Sequence, residues 1–155
     1  FSDFQCPFCA RFAEEAGYQL QLEYADTGLV RFEYKHFAFL GPESNLAAEA
    51  SECAAEQGKF WQYHDTLFEN LRGQNQGSYR NPALKAMAAA LGLDENSFNS
   101  CLDSNRYRSN VTQDTNEGRQ RGVNSTPTTF VNGEAVTGAI PYAQLRNLVE
   151  AAINR

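Results

Sequence analysis

The sequence has 155 residues, of which 42% are hydrophobic and 21% are charged, and its formal net charge is -6. This length favours a single domain of ordinary globular composition, and no run approaches the roughly 18 consecutive apolar residues that a membrane span needs. The negative charge disfavours nucleic acid or anionic lipid as a partner, because both would repel the chain.

The first predicted element is a helix that begins at Pro7. Proline suits the first turn of a helix, where its missing N–H costs nothing. Apolar residues then recur every four positions, at Phe12, Ala16, Leu20 and Tyr24. The pattern therefore places Cys6 at the N-terminus of this helix.

The next segment, Leu29 to Phe39, changes to an alternating pattern. Val30, Phe32 and Tyr34 fall on one side and charged residues fall on the other. This alternation predicts a half-exposed strand.

The middle of the chain is helical by composition and periodicity, apart from a polar, turn-rich loop from Gly73 to Pro82. The predicted helices are Leu46 to Gln57, Phe60 to Leu71, Pro82 to Leu91, Asp94 to Leu102 and Arg106 to Arg121. Together they indicate a helical insertion.

The last third of the chain predicts a hairpin and a closing helix. The segments Thr128 to Val131 and Ala135 to Thr137 flank Asn132-Gly133, a dipeptide that favours a tight turn with positive φ at both positions. Tyr142 to Ile153 then carries its apolar residues on one helical stripe.

The motif Cys6-Pro7-Phe8-Cys9 places two thiols on one helical turn, close enough to form a disulfide after a small adjustment. Unpaired N–H groups and the dipole of a helix N-terminus favour the thiolate, so we expect the pKa of Cys6 within roughly 3.5 to 7.5. Cys6 is predicted to be the exposed nucleophile and Cys9, one turn inside, the resolving thiol. The motif thus indicates dithiol–disulfide exchange.

Zinc and iron–sulfur sites use the same cysteine spacing but normally supply a second close pair. Here 43 residues separate Cys9 from Cys53, and 47 separate Cys53 from Cys101. This spacing disfavours a metal site, and we predict none.

A second candidate feature is Ser125-Thr126-Pro127-Thr128, just before the predicted hairpin. Pro127 cannot donate to a β-ladder, which is tolerable where the backbone must stay unpaired for a substrate chain. The other interpretation is that Pro127 only starts an edge strand, and the local residues do not separate the two.

The segments FSDFQCPFC and STPTTFVNG resemble the DsbA-like thioredoxin-fold thiol–disulfide oxidoreductases. In that family the cysteine motif follows the first core strand and precedes a helix, a strand, an inserted helical domain, a cis-proline loop, a hairpin and a last helix. The resemblance implies one α/β domain over residues 1–155, with a thioredoxin-like core from 1–40 and 122–155. The helical insertion then covers 41–121, between the second core strand and the cis-proline hairpin.

The resemblance also implies roles for single residues. The Thr126-Pro127 peptide bond would be cis beside the cysteines, with the Thr126 backbone binding an extended substrate segment. The dipeptide Pro7-Phe8 would tune the active-site thiol, and the redox-active pair would need no other cofactor. A buried acid that assists proton transfer in many relatives would lie six positions before Cys6, which falls outside this sequence.

Cys53 and Cys101 lie on the apolar stripes of two predicted helices, so both are expected to point inward. One interpretation is a pair of buried free thiols that act as small hydrophobic residues. The other, which resembles a second bridge in some DsbA-like proteins, is a structural disulfide within the insertion.

We therefore predict an enzyme, a protein-disulfide oxidoreductase that oxidises cysteine pairs in reduced, unfolded secreted polypeptides through Cys6 and Cys9. A membrane redox partner would reoxidise the pair, and we expect a monomer without nucleic-acid partners. The expected location is extracytoplasmic, in a bacterial periplasm or at the outer face of the cell membrane. Because the chain starts at Phe1 without methionine, we expect a mature fragment or a domain of a longer, membrane-tethered protein.

Two alternatives stay open from the residues alone. The first is a disulfide reductase or isomerase, because Pro-Phe stands where the best-known oxidases have Pro-His. The second is a binding or chaperone domain in which Cys6 and Cys9 form an inert structural bridge.

Overall fold

The first helix of the computed structural model, which describes residues 1–155, is continuous over residues 7–25 but changes its winding. Two α-helical segments, α1 (Pro7–Phe12) and α2 (Tyr18–Leu20), alternate with π-helical segments at Ala13–Gly17 and Gln21–Ala25. In an ideal α-helix a repeat of four residues drifts by about 40° per step, because each residue turns by about 100°. The wider π turns offset that drift and keep the stripe on one face.

That stripe builds the smaller of two apolar clusters. Ala16, Leu20 and Tyr24 pack against Leu145 and Val149 of the last helix, α8 (Tyr142–Ile153). The sequence-predicted bounds of this last helix are confirmed.

The prediction of a strand from Leu29 to Phe39 is wrong, because the segment forms only an isolated parallel bridge between Ser2 and His36. The Ser2 N–H donates to the Lys35 carbonyl at 3.0 Å, and the Phe37 N–H donates to the Ser2 carbonyl at 2.8 Å. A β-ladder needs a neighbouring backbone along its whole length, and only Ser2 pairs with this segment. The alternation of burial is nevertheless present over residues 30–34.

The backbone of residues 1–2 joins this segment to the hairpin. Phe1 pairs with the hairpin: the Thr128 N–H donates to the Phe1 carbonyl at 3.0 Å, and the Phe1 amino group donates to the Thr128 carbonyl at 2.8 Å. The hairpin itself is antiparallel, with β1 (Thr128–Val131) paired to β2 (Glu134–Thr137). Asn132 and Gly133 have φ values of 47° and 93°, which confirms the predicted tight turn.

Five helices fill the part of the chain between residues 42 and 120. They are α3 (Pro42–Ala55), α4 (Phe60–Glu69), α5 (Asn81–Ala90), α6 (Glu95–Asp103) and α7 (Arg108–Gln120). The first of them begins four residues before the predicted start at Leu46, because Pro42 occupies its first turn after Gly41. The side chain of Asp94 caps α6 by accepting from the Ser97 N–H at 2.8 Å.

The larger apolar cluster lies among these helices and reaches the start of the first helix. All four cysteines belong to it, together with Phe4 and the aromatic rings of Tyr63, Tyr79 and Phe98. The core thus extends from the helical insertion to the segment that carries Cys6. None of the helices has the length and apolar character needed to cross a bilayer.

Candidate active site

Cys6 is the residue that caps the first helix. Its backbone is extended, with φ -88° and ψ 116°, and Pro7 occupies the first helical position. The Cys6 sulfur accepts a hydrogen bond from the Cys9 N–H at 3.3 Å, as an N-cap side chain does. Because Pro7 starts the helix directly after Cys6, the free N–H groups of the first helical turn face the Cys6 sulfur.

The two thiols of the motif have opposite acidities. A hydrogen bond with the Cys9 thiol, helped by the Thr126 side chain and by the backbone at Cys9 and Phe8, lowers the pKa of Cys6 from 9.0 to about 6. Burial acts in the other direction but does not offset these contacts. Burial raises the pKa of Cys9, and the neighbouring Cys6 raises it further. At neutral pH, Cys6 is thus a thiolate and Cys9 a thiol.

The sequence predicts Cys6 to be exposed, and the structure corrects this expectation. Only 5% of Cys6 is accessible, compared with 1% of Cys9. The Thr126 carbonyl covers Cys6, with its oxygen 3.4 Å from the Cys6 sulfur. The exposed member of the motif is Phe8, which keeps 58% of its surface in solvent.

The loop that contains Thr126 and Pro127 lies against Cys6, although 120 residues separate Cys6 from Thr126. The Thr126-Pro127 peptide bond is cis. Neither the N–H nor the carbonyl of Thr126 takes part in a backbone–backbone hydrogen bond. The loop therefore offers a backbone N–H and carbonyl outside any β-ladder, of the kind with which an extended chain can pair.

A groove of about 620 Å³ opens beside Cys6. Its lining combines apolar side chains, among them the exposed Phe8 and Phe39, with the polar side chains of Gln5, Gln74 and Asn124. No Asp, Glu, Lys or Arg residue lines it. The groove can accept an uncharged, partly apolar segment of polypeptide next to the reactive sulfur.

Cys9 also borders a second cavity of about 330 Å³, whose lining includes Ser2, Tyr34 and His64 but not Cys6. The Tyr34 hydroxyl is buried without a hydrogen-bond partner, and burial raises the pKa of Tyr34. This cavity shares Phe68 with the groove beside Cys6, but Cys6 lines only the groove.

Sequence reasoning missed two buried polar residues that precede the cysteine motif. The Asp3 carboxylate accepts hydrogen bonds from the backbone N–H groups of Gln5, Phe39 and Leu40, and from the Ser44 hydroxyl. Gln5 is buried as well and contacts Ser44 and the loop at Asn75. No periodic pattern marks either residue, because their partners lie far away along the chain.

Cys53 and Cys101 form a disulfide that joins α3 to α6. The bond spans 48 positions of sequence, and the two Cα atoms lie 5.8 Å apart. Both residues are buried in the larger apolar cluster. The structure therefore supports the interpretation of this pair as a disulfide and not as two free thiols.

No group of three or more His, Cys, Asp or Glu side chains is placed to hold a metal ion.

Comparison with known proteins places the chain among redox domains. A family model described as Thioredoxin matches residues 1–151. Disulfide bond formation protein D of Bacillus subtilis is 27% identical over 154 residues, which are 97% of this chain and 69% of that protein. The Na(+)/H(+) antiporter NhaA 3 of Salinispora tropica is 36% identical over 144 residues, which are 92% of this chain. The chain spans only 20% of the length of that antiporter.

Solved structures agree with these matches. Oxidised BdbD from Bacillus subtilis superimposes with a TM-score of 0.90 and 26% identity, covering 100% of this chain and 85% of that one. The α-DsbA1 of Wolbachia pipientis superimposes with a TM-score of 0.84 over 99% of this chain and 83% of that one, at 17% identity. The second likeness supports the fold alone.

Proposed function

The chain belongs to the DsbA-like thiol–disulfide oxidoreductases of the thioredoxin family, and on this premise we propose that it oxidises cysteine pairs in reduced, extended polypeptides. The observation that carries the proposal is the position of the Cys6 sulfur. It accepts a hydrogen bond from the Cys9 N–H at the start of a helix and lies 3.4 Å from the Thr126 carbonyl, which makes no backbone–backbone hydrogen bond. A readily ionised sulfur beside an open backbone group suits exchange with a peptide thiol.

In the first step, a substrate thiolate attacks the Cys6 sulfur of the oxidised pair. A bond forms between the substrate and Cys6, and the bond between Cys6 and Cys9 breaks. Cys9 leaves with the electron pair and takes up a proton, because burial raises its pKa. The product is a mixed disulfide at Cys6.

In the second step, another substrate thiolate attacks the substrate sulfur of that mixed disulfide. The substrate disulfide forms, and Cys6 leaves as a thiolate. Two electrons have then passed from the substrate to the pair, and the substrate has given up two thiol protons. A leaving thiol with a pKa of about 6 favours this direction, because its thiolate is stable at neutral pH.

Three groups support the roles that we propose around Cys6. The unpaired backbone of Thr126 would hydrogen-bond to the substrate strand, and Pro127 would keep that part of the loop out of the hairpin ladder. Phe8, exposed beside Cys6, would contact the substrate and adjust the environment of the sulfur. The substrate segment itself would be poor in charge, because the groove is lined without charged residues.

We propose an extracytoplasmic location for the domain, in a periplasm or at the outer face of a membrane. The buried disulfide between Cys53 and Cys101 supports an oxidising compartment. The match to part of a longer antiporter supports a domain that is tethered to a membrane protein. A membrane redox partner would then accept the two electrons and regenerate the disulfide between Cys6 and Cys9.

The test compares oxidation of a model peptide with two cysteines by the wild-type protein, Cys6→Ser and Cys9→Ser. We expect Cys6→Ser to lose all catalysis, because the Cys6–Cys9 disulfide that the substrate thiolate attacks can no longer form. Cys9→Ser has no disulfide of its own, so its Cys6 is first converted to the mixed disulfide with glutathione. Attack by a peptide with one cysteine should then release glutathione and leave a mixed disulfide between Cys6 and the peptide, visible by mass spectrometry. Oxidation by Cys6→Ser at the wild-type rate would refute the assignment. A wild-type pair that reduces or reshuffles peptide disulfides faster than it forms them would indicate a reductase or isomerase.

A further inference from the structure

Gln5 stands directly before the nucleophile, and only 2% of its surface is accessible. Both the oxygen and the nitrogen of its carboxamide form hydrogen bonds. The oxygen accepts the Asn75 N–H at 2.6 Å, and the nitrogen donates to the Ser44 hydroxyl at 3.0 Å and to the Asn75 side-chain oxygen at 3.1 Å. This side chain therefore connects the backbone before Cys6 to a loop 70 residues away.

The direction of these hydrogen bonds requires an amide at position 5. The Ser44 hydroxyl donates its only proton to the Asp3 carboxylate at 2.7 Å, so its oxygen must accept from Gln5. A carboxylate at position 5 would present an acceptor where Ser44 needs a donor, and it would add a negative charge near Asp3.

The loop that Gln5 holds forms one wall of the groove beside Cys6. Gly73 and Gln74 line the groove together with Leu40 and Gln5 itself. The Asn75 side chain donates to the Leu40 carbonyl at 2.9 Å and so ties the two parts of this wall together. We call residues 73–75 and Leu40 the groove wall.

Two further hydrogen bonds support the groove wall near Asn75: the Glu43 N–H donates to the Asn75 side-chain oxygen at 3.3 Å, and the Gln74 side chain donates to the Leu40 carbonyl. Gln74, Asn75 and Gln76 are all exposed, so the apolar core does not hold them. The Asn75 amide packs directly over Gly41, where an added Cβ would lie 2.2 Å from the Asn75 nitrogen. Among these contacts, the hydrogen bonds of Gln5 join the groove wall to the residue directly before Cys6.

We propose that Gln5 is a positioning residue for polypeptide capture, and that it holds the groove wall at the distance from Cys6 that an extended segment needs. This inference rests on the proposed function. Its substrate class is a reduced polypeptide segment without charged side chains next to the reacting cysteine, because no charged residue lines the groove.

The experiment compares two reductants of the oxidised protein, the two-cysteine peptide and dithiothreitol. Dithiothreitol is too small to need the groove wall, whereas the peptide must lie along it. Gln5→Ala should raise the KM for the peptide about tenfold with kcat within about twofold, because the groove wall contributes to binding in both the ground and transition states. The rate with dithiothreitol and the pH midpoint of Cys6 alkylation should stay at their wild-type values.

Gln57→Ala is the matched control. Gln57 also holds one loop residue with both ends of its amide, accepting the Asp94 N–H at 2.8 Å and donating to the Asp94 carbonyl at 3.2 Å. It lies outside the groove lining, so its loss should leave the peptide KM unchanged. Gln5→Glu preserves the side-chain volume and should still raise the peptide KM, which keeps the test available if Gln5→Ala does not fold.

The possible results distinguish a failure of the proposed oxidase function from a failure of the positioning role of Gln5. A wild-type protein that oxidises neither reductant contradicts the proposed function. A wild-type protein that oxidises both, with an unchanged peptide KM in both Gln5 variants, contradicts the positioning role alone. Equal losses with the peptide and dithiothreitol, or a shifted alkylation midpoint in Gln5→Ala, also contradict it, because Gln5 would then act on the thiol.

Discussion

The pair Cys6 and Cys9 and the pair Cys53 and Cys101 belong to the same apolar cluster, but their surroundings differ. Cys6 caps a helix and faces N–H groups, a groove and the Thr126 carbonyl. Cys53 and Cys101 lie inside α3 and α6, where helical hydrogen bonds occupy the backbone N–H groups. Burial alone therefore does not decide reactivity, since Cys6 is nearly as buried as the bridged cysteines. Cys6 differs from Cys53 and Cys101 in the free hydrogen-bond donors that face it and in its access to a groove.

The largest expected effect is the difference in redox stability between the two pairs. In graded mixtures of reduced and oxidised glutathione, the Cys6–Cys9 pair should be reduced while the Cys53–Cys101 bridge stays oxidised. We expect their equilibrium constants to differ by at least ~10³-fold, because the bridge is buried between helices and the Cys6 thiolate stabilises the reduced pair. Alkylation of each quenched mixture, read by mass spectrometry of the peptides, measures both. Simultaneous reduction of the two pairs would remove the proposed distinction.

The second prediction removes the bridge. Cys53→Ala combined with Cys101→Ala should lower the free energy of unfolding by about 4 kcal/mol, because a loop of this length is no longer closed in the unfolded chain. Peptide oxidation through Cys6 should persist at a temperature where the variant is folded. Urea unfolding and the peptide assay together check this. A loss below about 1 kcal/mol, or an altered redox potential of the Cys6–Cys9 pair, would show that the two regions do not have the separate roles described.

The third prediction concerns the acidity of Cys6. The rate of alkylation by iodoacetamide should be half-maximal near pH 6 and fall about tenfold for each pH unit below that, because only the thiolate reacts. The sign follows from a lowered pKa, since the thiolate of Cys6 predominates above pH 6 and is progressively protonated below it. Cys9→Ala should move the midpoint upward, because it removes the hydrogen bond with the Cys9 thiol, which is the largest contribution to the shift. A wild-type midpoint near 9 would contradict the assigned environment.

The smallest effect on stability is expected at Phe8. Phe8→Ala should change the free energy of unfolding by less than about 0.5 kcal/mol, because the ring is largely exposed and lies beside the Arg11 guanidinium at the surface. Peptide oxidation should nevertheless slow, since the ring lines the groove at Cys6. Chemical denaturation and peptide kinetics on the same preparation separate the two effects. A large loss of stability would assign Phe8 to the core instead.

Local signals in the sequence determined much of the fold and the reactive motif. Pro7 starts the first helix at the position that the sequence predicts, and the bounds of α8 agree with its apolar stripe. The Asn132-Gly133 turn adopts the positive φ values that its residues favour. These features depend on neighbours within a few positions, so sequence patterns report them directly.

Only the tertiary structure decided the features that depend on distant partners. The segment from Leu29 to Phe39 is not a strand because backbone pairing there is limited to Ser2. Cys6 is covered because a loop 120 residues away lies on it, and the contact between Gln5 and Asn75 spans 70 residues. Alternation and helical periodicity describe which faces are apolar, but they do not specify which distant backbone supplies a hydrogen bond. For that reason the sequence alone indicated the cysteine motif as the candidate site, whereas the cover over Cys6 and the groove wall emerged only when the chain was folded.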